Sequence, residues 1–160
     1  MRFLLLTFFI WLLIPIAASS SELKAIYISD IPMRDGVHLA ADVYLPKEPG
    51  SYPTLLLRTP YDPKIKPPIE FPTKLAQAGY AVVINHCRGR YDSEGNFVPF
   101  KNEGRDGFDT VEWIVKQPWC DGQVGLIGAS YSGIASWQTA ICISWTTGAT
   151  MVRRCKRPSV

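Results

Sequence analysis

Three short apolar segments, each followed by a segment that favours a helix, constrain the fold of this chain more than any other feature. The apolar segments are residues 53–59, 80–84 and 124–127, and their continuous apolar character is typical of strands buried on both faces. The patterns at 72–78, at 106–116 and after residue 133 predict helices. Strands that alternate with helices predict a parallel sheet covered by helices, which is an α/β fold.

A hairpin is predicted ahead of these segments. Asp35-Gly36 is a strong signal for a two-residue turn. Residues 37–45 then alternate between apolar and polar side chains, as a half-buried strand does. We therefore expect an antiparallel hairpin first and parallel strands after it, with His38 on the solvent face of the second strand.

The charge of the chain is concentrated at its ends. The 160 residues include 17 Lys+Arg and 14 Asp+Glu, for a formal charge of +3. Five of the cations are Arg2 and the carboxyl-terminal Arg153, Arg154, Lys156 and Arg157, so the rest of the chain has 12 basic and 14 acidic residues. Such a body has no basic surface for a phosphate backbone, which excludes a nucleic-acid partner. The composition, 47% hydrophobic and 19% charged, is that of one folded domain.

The amino terminus has the pattern of a secretory signal. A single cation, Arg2, precedes residues 3–18, which carry no charge, and small residues follow at 17–21. The segment is shorter than the ~20 apolar residues that span a bilayer, and it contains Pro15. We therefore predict a signal peptide at 1–20, a secreted or periplasmic protein, and no stable membrane anchor.

The cysteines and histidines do not form a metal-binding pattern. The four cysteines, Cys87, Cys120, Cys142 and Cys155, are spaced too irregularly for a zinc site. Neither histidine lies near a cysteine pair, so no metal and no cofactor are expected. Export would permit disulfides, but free or buried thiols fit the sequence as well. A Cys87–Cys120 bridge is disfavoured because the predicted sheet places these residues at opposite ends.

One turn has the features of a catalytic site. The segment 128–133, Gly-Ala-Ser-Tyr-Ser-Gly, links the last predicted strand to a helix. A serine on such a turn presents its hydroxyl at the carboxyl edge of the sheet, where α/β proteins bind ligands. Gly128 lets the backbone approach closely, and the helix start directs N–H groups at a developing oxyanion. Ser130 is therefore a candidate nucleophile, with a purely structural turn as the alternative.

A dinucleotide-binding loop is a further alternative for this turn. Gly128, Ser130 and Gly133 occupy the positions of a Gly-x-Gly-x-x-Gly motif with its middle glycine replaced. That motif needs an acidic residue about 20 positions later to bind the ribose. The sequence has no Asp or Glu after Asp121, which disfavours this alternative.

Five ordered segments support the hydrolase interpretation. They are residues 31–39, 58–62, 88–95, 106–114 and 128–133. Together they closely resemble the catalytic domain of the cocaine esterase and Xaa-Pro dipeptidyl-peptidase-like family of α/β-hydrolases. The resemblance extends from about residue 26 to about residue 139 and so covers most of the chain after the predicted signal.

The resemblance implies roles for three residues. Ser130 matches the nucleophile of the family, whose turn reads Gly-x-Ser-Tyr-x-Gly, so the displaced second glycine is normal there. Tyr131 matches the residue whose backbone N–H is one oxyanion donor. Tyr61 matches the tyrosine whose hydroxyl is the second donor. The implied substrates are small carboxylic esters or amide bonds, including Xaa-Pro peptides.

The sequence departs from the family at two places. His86 stands where the family has an Asp near Arg88, so we expect Arg88 to lose a local charge partner. After about Thr139 the resemblance ends, and residues 141–160 form a cationic tail. The predicted organisation is thus a signal at 1–20, an amino-terminal part of an α/β-hydrolase domain at 21–140, and a tail outside the family at 141–160.

These departures predict an incomplete catalytic triad. In α/β-hydrolases the acid and the histidine follow the nucleophile in the chain. This sequence ends 30 residues after Ser130, with no His after His86 and no acid after Asp121. We therefore expect an incomplete α/β-hydrolase fold that ends after the helix following Ser130, with an exposed, aggregation-prone edge at 124–127. The chain would be weakly active or inactive alone, and a non-catalytic exported fragment is the alternative.

Overall fold

The computed structural model describes residues 24–62 and 70–147. The predicted signal at 1–20 and residues 148–160 of the predicted tail lie outside the described residues. The elements, in chain order, are β1 (Lys24–Pro32), β2 (His38–Leu45), β3 (Tyr52–Thr59), α1 (Glu70–Gln77), β4 (Ala81–His86), α2 (Glu103–Ile114), β5 (Cys120–Leu126) and α3 (Tyr131–Thr147).

The five strands form one sheet in the order β1-β2-β4-β3-β5. β1 pairs antiparallel with β2, and β2 pairs antiparallel with β4. β3 lies between β4 and β5 and is parallel to both. The predicted α/β class and the order of a hairpin followed by parallel strands are therefore confirmed.

The hairpin turn is longer than predicted. Pro32 pairs with His38, and the intervening residues 33–37 close through a 2.8 Å hydrogen bond from Met33 N to the Val37 carbonyl. Gly36 N donates to the Met33 carbonyl at 3.0 Å, and Gly36 has a φ of 82°. The prediction of a two-residue turn is wrong because Gly36 takes the left-handed position that ends a longer turn, rather than a central position.

The element boundaries differ most at β5 and α2. β5 begins at Cys120 rather than at 124 because the backbone passes through Gly122 at a φ of 88° and continues in the strand. The ladder with β3 is irregular at this point, which lets pairing extend across a sequence that resembles a turn. α2 begins at Glu103 rather than at 106, and α1 covers 70–77 rather than 72–78.

Both faces of the sheet are covered. One apolar cluster joins the sheet to α1 and consists of Tyr44, Leu57, Ala76, Val82 and Ile84. The cluster on the other face joins the sheet to α2 through Ile114, and includes Ile31, Leu39, Val43, Leu56 and Val83. α3 packs against α2 so closely that a Cβ on Gly107 would lie 1.8 Å from the Thr139 hydroxyl oxygen.

The two ends of the sheet differ in chemistry. Thr59 of β3 pairs with His86 of β4 at the carboxyl end, whereas Tyr52 of β3 pairs with Cys120 of β5 near the other end. Cys87, which follows His86, is therefore far from Cys120, as predicted, and no disulfide joins these two residues. Cys155 lies outside the described residues.

Candidate active site

Ser130 occupies a strained turn between β5 and α3. Its φ is 55°, a left-handed conformation that a residue with a Cβ rarely adopts. Ile127 N donates to the Leu56 carbonyl at 3.0 Å, and Ile134 N donates to the Ser130 carbonyl at 3.2 Å. The first bond fixes the end of the strand and the second fixes the start of the helix, so Ser130 is exposed between them at the carboxyl edge of the sheet.

Gly128 makes this turn sterically feasible. A Cβ at Gly128 would lie 2.5 Å from the carbonyl carbon and oxygen of Ser132. Backbone atoms cannot yield as a flexible side chain can, so a larger residue would push α3 away from β5. At Gly133 an added Cβ would lie 3.4 Å from the Gly128 oxygen, which is less restrictive.

Tyr131 is the first residue of α3, and three contacts hold its side chain. Its hydroxyl donates to Glu103 Oε1 at 2.8 Å and accepts from Phe100 N at 3.1 Å. Its ring stacks on Phe100 with centroids 4.5 Å apart. Burial, and secondarily the Glu103 carboxylate, raise the pKa of the Tyr131 phenol well above its usual range, against an opposing effect of the Phe100 N–H. The phenol therefore stays protonated and acts as a donor to Glu103.

The backbone N–H of Tyr131 is suited to bind an anion. The first N–H groups of an α-helix have no carbonyl partner within the helix. They also lie at the positive end of the helix dipole. Tyr131 thus presents a backbone N–H directly after Ser130.

Tyr61 follows β3 and lies at the same edge of the sheet as Ser130. Its N–H donates to the Thr59 hydroxyl at 3.1 Å, and its side chain is 40% exposed. Arg90 Nε donates to the Pro60 carbonyl at 2.9 Å, which fixes the residue before it. Because β3 and β5 are adjacent and parallel, their carboxyl ends bring Tyr61, Ser130 and Tyr131 to one region.

An aromatic loop between β4 and α2 borders this region. The Arg90 guanidinium lies 5.4 Å from the Tyr91 ring centroid and 5.3 Å from that of Phe97. The Phe97 ring is in turn 6.0 Å from that of Tyr131. Tyr91 and Phe100 have positive φ values, 52° and 62°, so the loop departs twice from ordinary backbone geometry. Its aromatic rings and the Arg90 guanidinium border the region of Tyr131.

Arg88 has two carboxylate partners. Its Nη1 is 2.9 Å from Asp35 Oδ2, and its Nη2 is 2.7 Å from Asp106 Oδ1. Arg88 thus keeps two charge partners, although His86 stands where the family has a nearby Asp. Asp35 from the hairpin loop and Asp106 from α2 supply the charge instead. The Arg88 hydrogen bond lowers the pKa of Asp35 below its usual range.

The two histidines lie on strands that are not adjacent to β5. His86 ends β4, is buried, and has Nε2 3.3 Å from Asp42 Oδ2. His38 begins β2, with its ring nitrogens 3.5 Å from Asp30 and 3.4 Å from Glu94, and its side chain is 40% exposed. The predicted exposure of His38 is thus partial. β3 separates β4 from β5, so neither histidine lies on a strand next to the Ser130 turn.

The sequence did not predict a series of buried polar contacts that connects the sheet with the Ser130 turn. Arg58 Nη1 lies 2.9 Å from Glu103 Oε2, and Arg58 Nε donates to Asn85 Oδ1 at 2.8 Å. All three side chains are buried. The sequence signal was Arg58 itself, a charged residue within an otherwise apolar strand. Nothing in the local sequence indicates Glu103 as its partner.

The described part of the chain offers no evident metal site or membrane span. Residues 24–62 and 70–147 contain no group of three or more His, Cys, Asp or Glu side chains arranged to hold a metal ion. Among the helices of the same residues, none is long and apolar enough to cross a bilayer.

Comparison with known proteins defines the family. Residues 35–142 match the family model described as X-Pro dipeptidyl-peptidase (S15 family). The chain belongs to this family. Over 119 residues this S15 chain is 45% identical to cocaine esterase from Rhodococcus sp. (strain MB1 Bresler), a match that covers 69% of the chain and 20% of the esterase. The S15 chain thus spans about a fifth of the length of that relative.

Solved structures give the same result for the fold. An α-amino acid ester hydrolase superposes with a TM-score of 0.67 at 31% identity, over 78% of this chain and 24% of that one. A CocE/NonD family hydrolase from Staphylococcus aureus gives 0.63 at 26% identity, over 72% and 25%. The fold is therefore of the α/β-hydrolase type.

Proposed function

We propose that this S15-family chain carries the nucleophile of a serine hydrolase that acts by acyl transfer. Ser130 would attack the carbonyl of a small carboxylic ester or of an amide bond such as Xaa-Pro. The observation that carries the proposal is the left-handed Ser130, exposed on a tight turn at the edge where β3 also delivers Tyr61. The relatives, an esterase and an ester hydrolase by name, support ester chemistry.

The oxyanion formed by this attack would have two donors. The backbone N–H of Tyr131 and the hydroxyl of Tyr61 would bind the negative oxygen as the tetrahedral intermediate forms. Removal of one such donor typically costs roughly 3 kcal/mol of transition-state stabilisation. Tyr131 is held by Glu103 and Phe100, whereas the chain before Tyr61 is held through the Pro60 carbonyl.

The same proposal includes weak or absent activity of this chain by itself. A serine without a general base keeps its hydroxyl proton and is a poor nucleophile. The oxyanion donors and binding alone would leave a residual acceleration of ~10³–10⁴ over the reaction in water. The sequence has two histidines, and they lie on β2 and β4, neither of which is adjacent to β5. This arrangement also favours a second candidate, a non-catalytic exported fragment.

Export is part of the proposal. The uncharged segment 3–18 and the small residues after it support a cleaved signal and a secreted or periplasmic location. We expect the recovered product to begin near residue 20. Amino-terminal sequencing of protein from the medium or periplasm checks this, and an intact Met1 on exported protein would contradict it.

A chimera tests the role of Ser130. Residues 24–140 replace the matching segment of the Rhodococcus cocaine esterase, which supplies the remainder of a hydrolase. We expect a fluorophosphonate probe to label the chimera at Ser130, and p-nitrophenyl ester turnover to fall to background in Ser130→Ala. Ser132→Ala is the matched control, because it makes the same chemical change at a buried position two residues away.

The outcomes separate the two candidates. Equal labelling of the folded chimera and of its Ser130→Ala variant would refute the nucleophile assignment. For the isolated 160-residue chain we expect little or no labelling. Ester turnover by that chain which disappears in Ser130→Ala would contradict the non-catalytic candidate. Turnover as fast as that of the chimera would contradict the predicted weak or absent activity.

A further inference from the structure

We propose that Glu103 is a positioning residue for the Ser130 turn: its carboxylate holds the Tyr131 hydroxyl and so fixes the Tyr131 backbone N–H beside Ser130. The use of that N–H as an oxyanion donor rests on the proposed function. The positioning itself rests on the contacts of Tyr131 and Glu103.

The Tyr131 side chain is the link between the turn and α2. Its hydroxyl makes hydrogen bonds with both Glu103 Oε1 and Phe100 N, at 2.8 and 3.1 Å. A phenol ring held at its far end by two bonds has little freedom to rotate about Cα–Cβ. The orientation of the Tyr131 peptide, one residue after the strained Ser130, is therefore coupled to the position of Glu103.

Glu103 is itself fixed by a buried charge. Its side chain is 4% exposed and lies 2.9 Å from Arg58 Nη1, while the Arg58 side chain is 1% exposed. Arg58 Nη1 also donates to the Glu103 carbonyl oxygen. A buried carboxylate is costly unless a cation lies beside it, and the Arg58 guanidinium is that cation. One oxygen of Glu103 faces the guanidinium and the other accepts from Tyr131.

The series of contacts from Tyr131 through Glu103 to Arg58 continues into the centre of the sheet. Arg58 Nε donates to Asn85 Oδ1 at 2.8 Å, and Asn85 Nδ2 donates to the Ala40 carbonyl at 3.1 Å. Residues of β2, β4 and β3 are thus joined through Glu103 to the turn. A left-handed non-glycine residue is strained and persists only where its surroundings enforce it. The central strands provide that enforcement for Ser130.

Hydrogen exchange of the full chain tests the coupling without requiring activity. The reporter is the Ile134 amide, which donates to the Ser130 carbonyl at 3.2 Å. We expect Tyr131→Phe to accelerate its exchange at least about tenfold, the equivalent of one lost hydrogen bond to a charged group. β4 amides should change only as much as global stability changes. Glu103→Gln keeps an acceptor for the phenol and should give a smaller acceleration than Glu103→Ala.

Thr110→Val is the matched control. The buried Thr110 hydroxyl, also on α2, donates to the Asp106 carbonyl at 2.7 Å and does not touch Tyr131. This variant loses a buried hydrogen bond but should leave the Ile134 amide unchanged relative to β4. Tyr131→Phe retains the ring and its stacking on Phe100, so it tests the link through the hydroxyl even if Glu103→Ala folds poorly, and Glu103→Gln then separates the part of Glu103 from that of Phe100 N.

A kinetic readout in the chimera completes the test. Tyr131→Phe should lower kcat by about tenfold or more with little change in KM, since a misplaced donor affects the transition state. Thr110→Val should leave both unchanged. Uniform acceleration of all amides, or none at Ile134, would overturn the positioning role even if Ser130→Ala abolishes turnover. If Ser130→Ala leaves turnover intact, the proposed function fails, and the exchange of the Ile134 amide still decides the positioning role.

Discussion

Two parallel strands that flank β3 have opposite environments. All six residues of β4 are buried, whereas none of the seven residues of β5 is. β4 has β2 on one side and β3 on the other, while β5 pairs with β3 alone among the described strands. The difference indicates that position in the sheet determines how well a strand is covered, and it confirms the predicted edge at β5.

The candidate site spans both environments. Tyr61 follows β3, which has neighbours on both sides, and Ser130 follows the edge strand β5. The turn at Ser130 therefore receives less support from the sheet than the loop at Tyr61. Its side-chain support comes from α2 and the 97–101 loop, through the contacts of Tyr131 with Glu103 and Phe100.

The two sides of α3 also differ in how well they are covered. Ile134, Trp137 and Ile141 lie at helical spacing and are 45, 70 and 42% exposed. The opposite side of α3 buries Ala135, and it packs Thr139 against Gly107 of α2. An apolar face next to an open strand edge is the kind of surface that promotes association.

The largest expected effect on stability, which tests the difference between the covered strands and the edge strand β5, comes from one cross-strand pair. Leu56 of β3 and Leu126 of β5 are partners in register, and Leu56 is fully buried while Leu126 is partly exposed. Leu56→Ala should lower the free energy of unfolding by about 2–5 kcal/mol. Leu126→Ala makes the same deletion at the edge, and we expect less than about half that loss, because part of its surface already contacts water.

Urea unfolding of both variants measures this pair. The two substitutions remove the same atoms from adjacent positions, so each serves as the control for the other. Equal losses of unfolding free energy would mean that β5 is covered to the same extent as β3, and would contradict the difference between the two regions.

A smaller expected effect is the difference in reactivity between the thiols of Cys87 and Cys120. Burial raises the pKa of the Cys87 thiol, at the carboxyl end of β4, to about 12, and the Arg58 charge opposes this shift only in part. Cys120, which begins β5, is partly exposed. Iodoacetamide at pH 8 should therefore modify Cys120 in the folded chain and leave Cys87 unmodified until the chain unfolds.

The pH dependence of stability has a defined sign. Above about pH 9 the unfolded chain loses the Cys87 proton while the folded chain keeps it, so folding stability falls as pH rises towards 12. This thiol contributes a slope of up to about 1.4 kcal/mol per pH unit in that window. Cys87→Ala should flatten the alkaline slope and Cys120→Ala should not. Identical slopes in the two variants would contradict the buried, protonated state of Cys87.

Several features were predictable because they depend on local pattern. Continuous apolar runs identified β3 and β4, and alternation identified β2. The glycine, serine and helix pattern at 128–133 identified the Ser130 turn. Each of these signals arises within a few residues of the chain, so the sequence contains it directly.

Other features depend on contacts between distant segments. Arg88 was expected to lose a local charge partner, and its partners are Asp35 and Asp106, which are 53 and 18 residues away in the sequence. The hairpin turn and the start of β5 were misjudged because Gly36 and Gly122 take left-handed positions that depend on pairing across strands.

By itself, therefore, the sequence determined the fold class, the family resemblance, the candidate nucleophile and the short supply of histidines. Only the tertiary structure decided that Glu103, 27 positions before Ser130, supports the turn through Tyr131, with Arg58 of β3 as its buried counter-charge. The physical reason is that a buried carboxylate is stabilised by the atoms around it in space. Those atoms come from segments that the fold alone brings together.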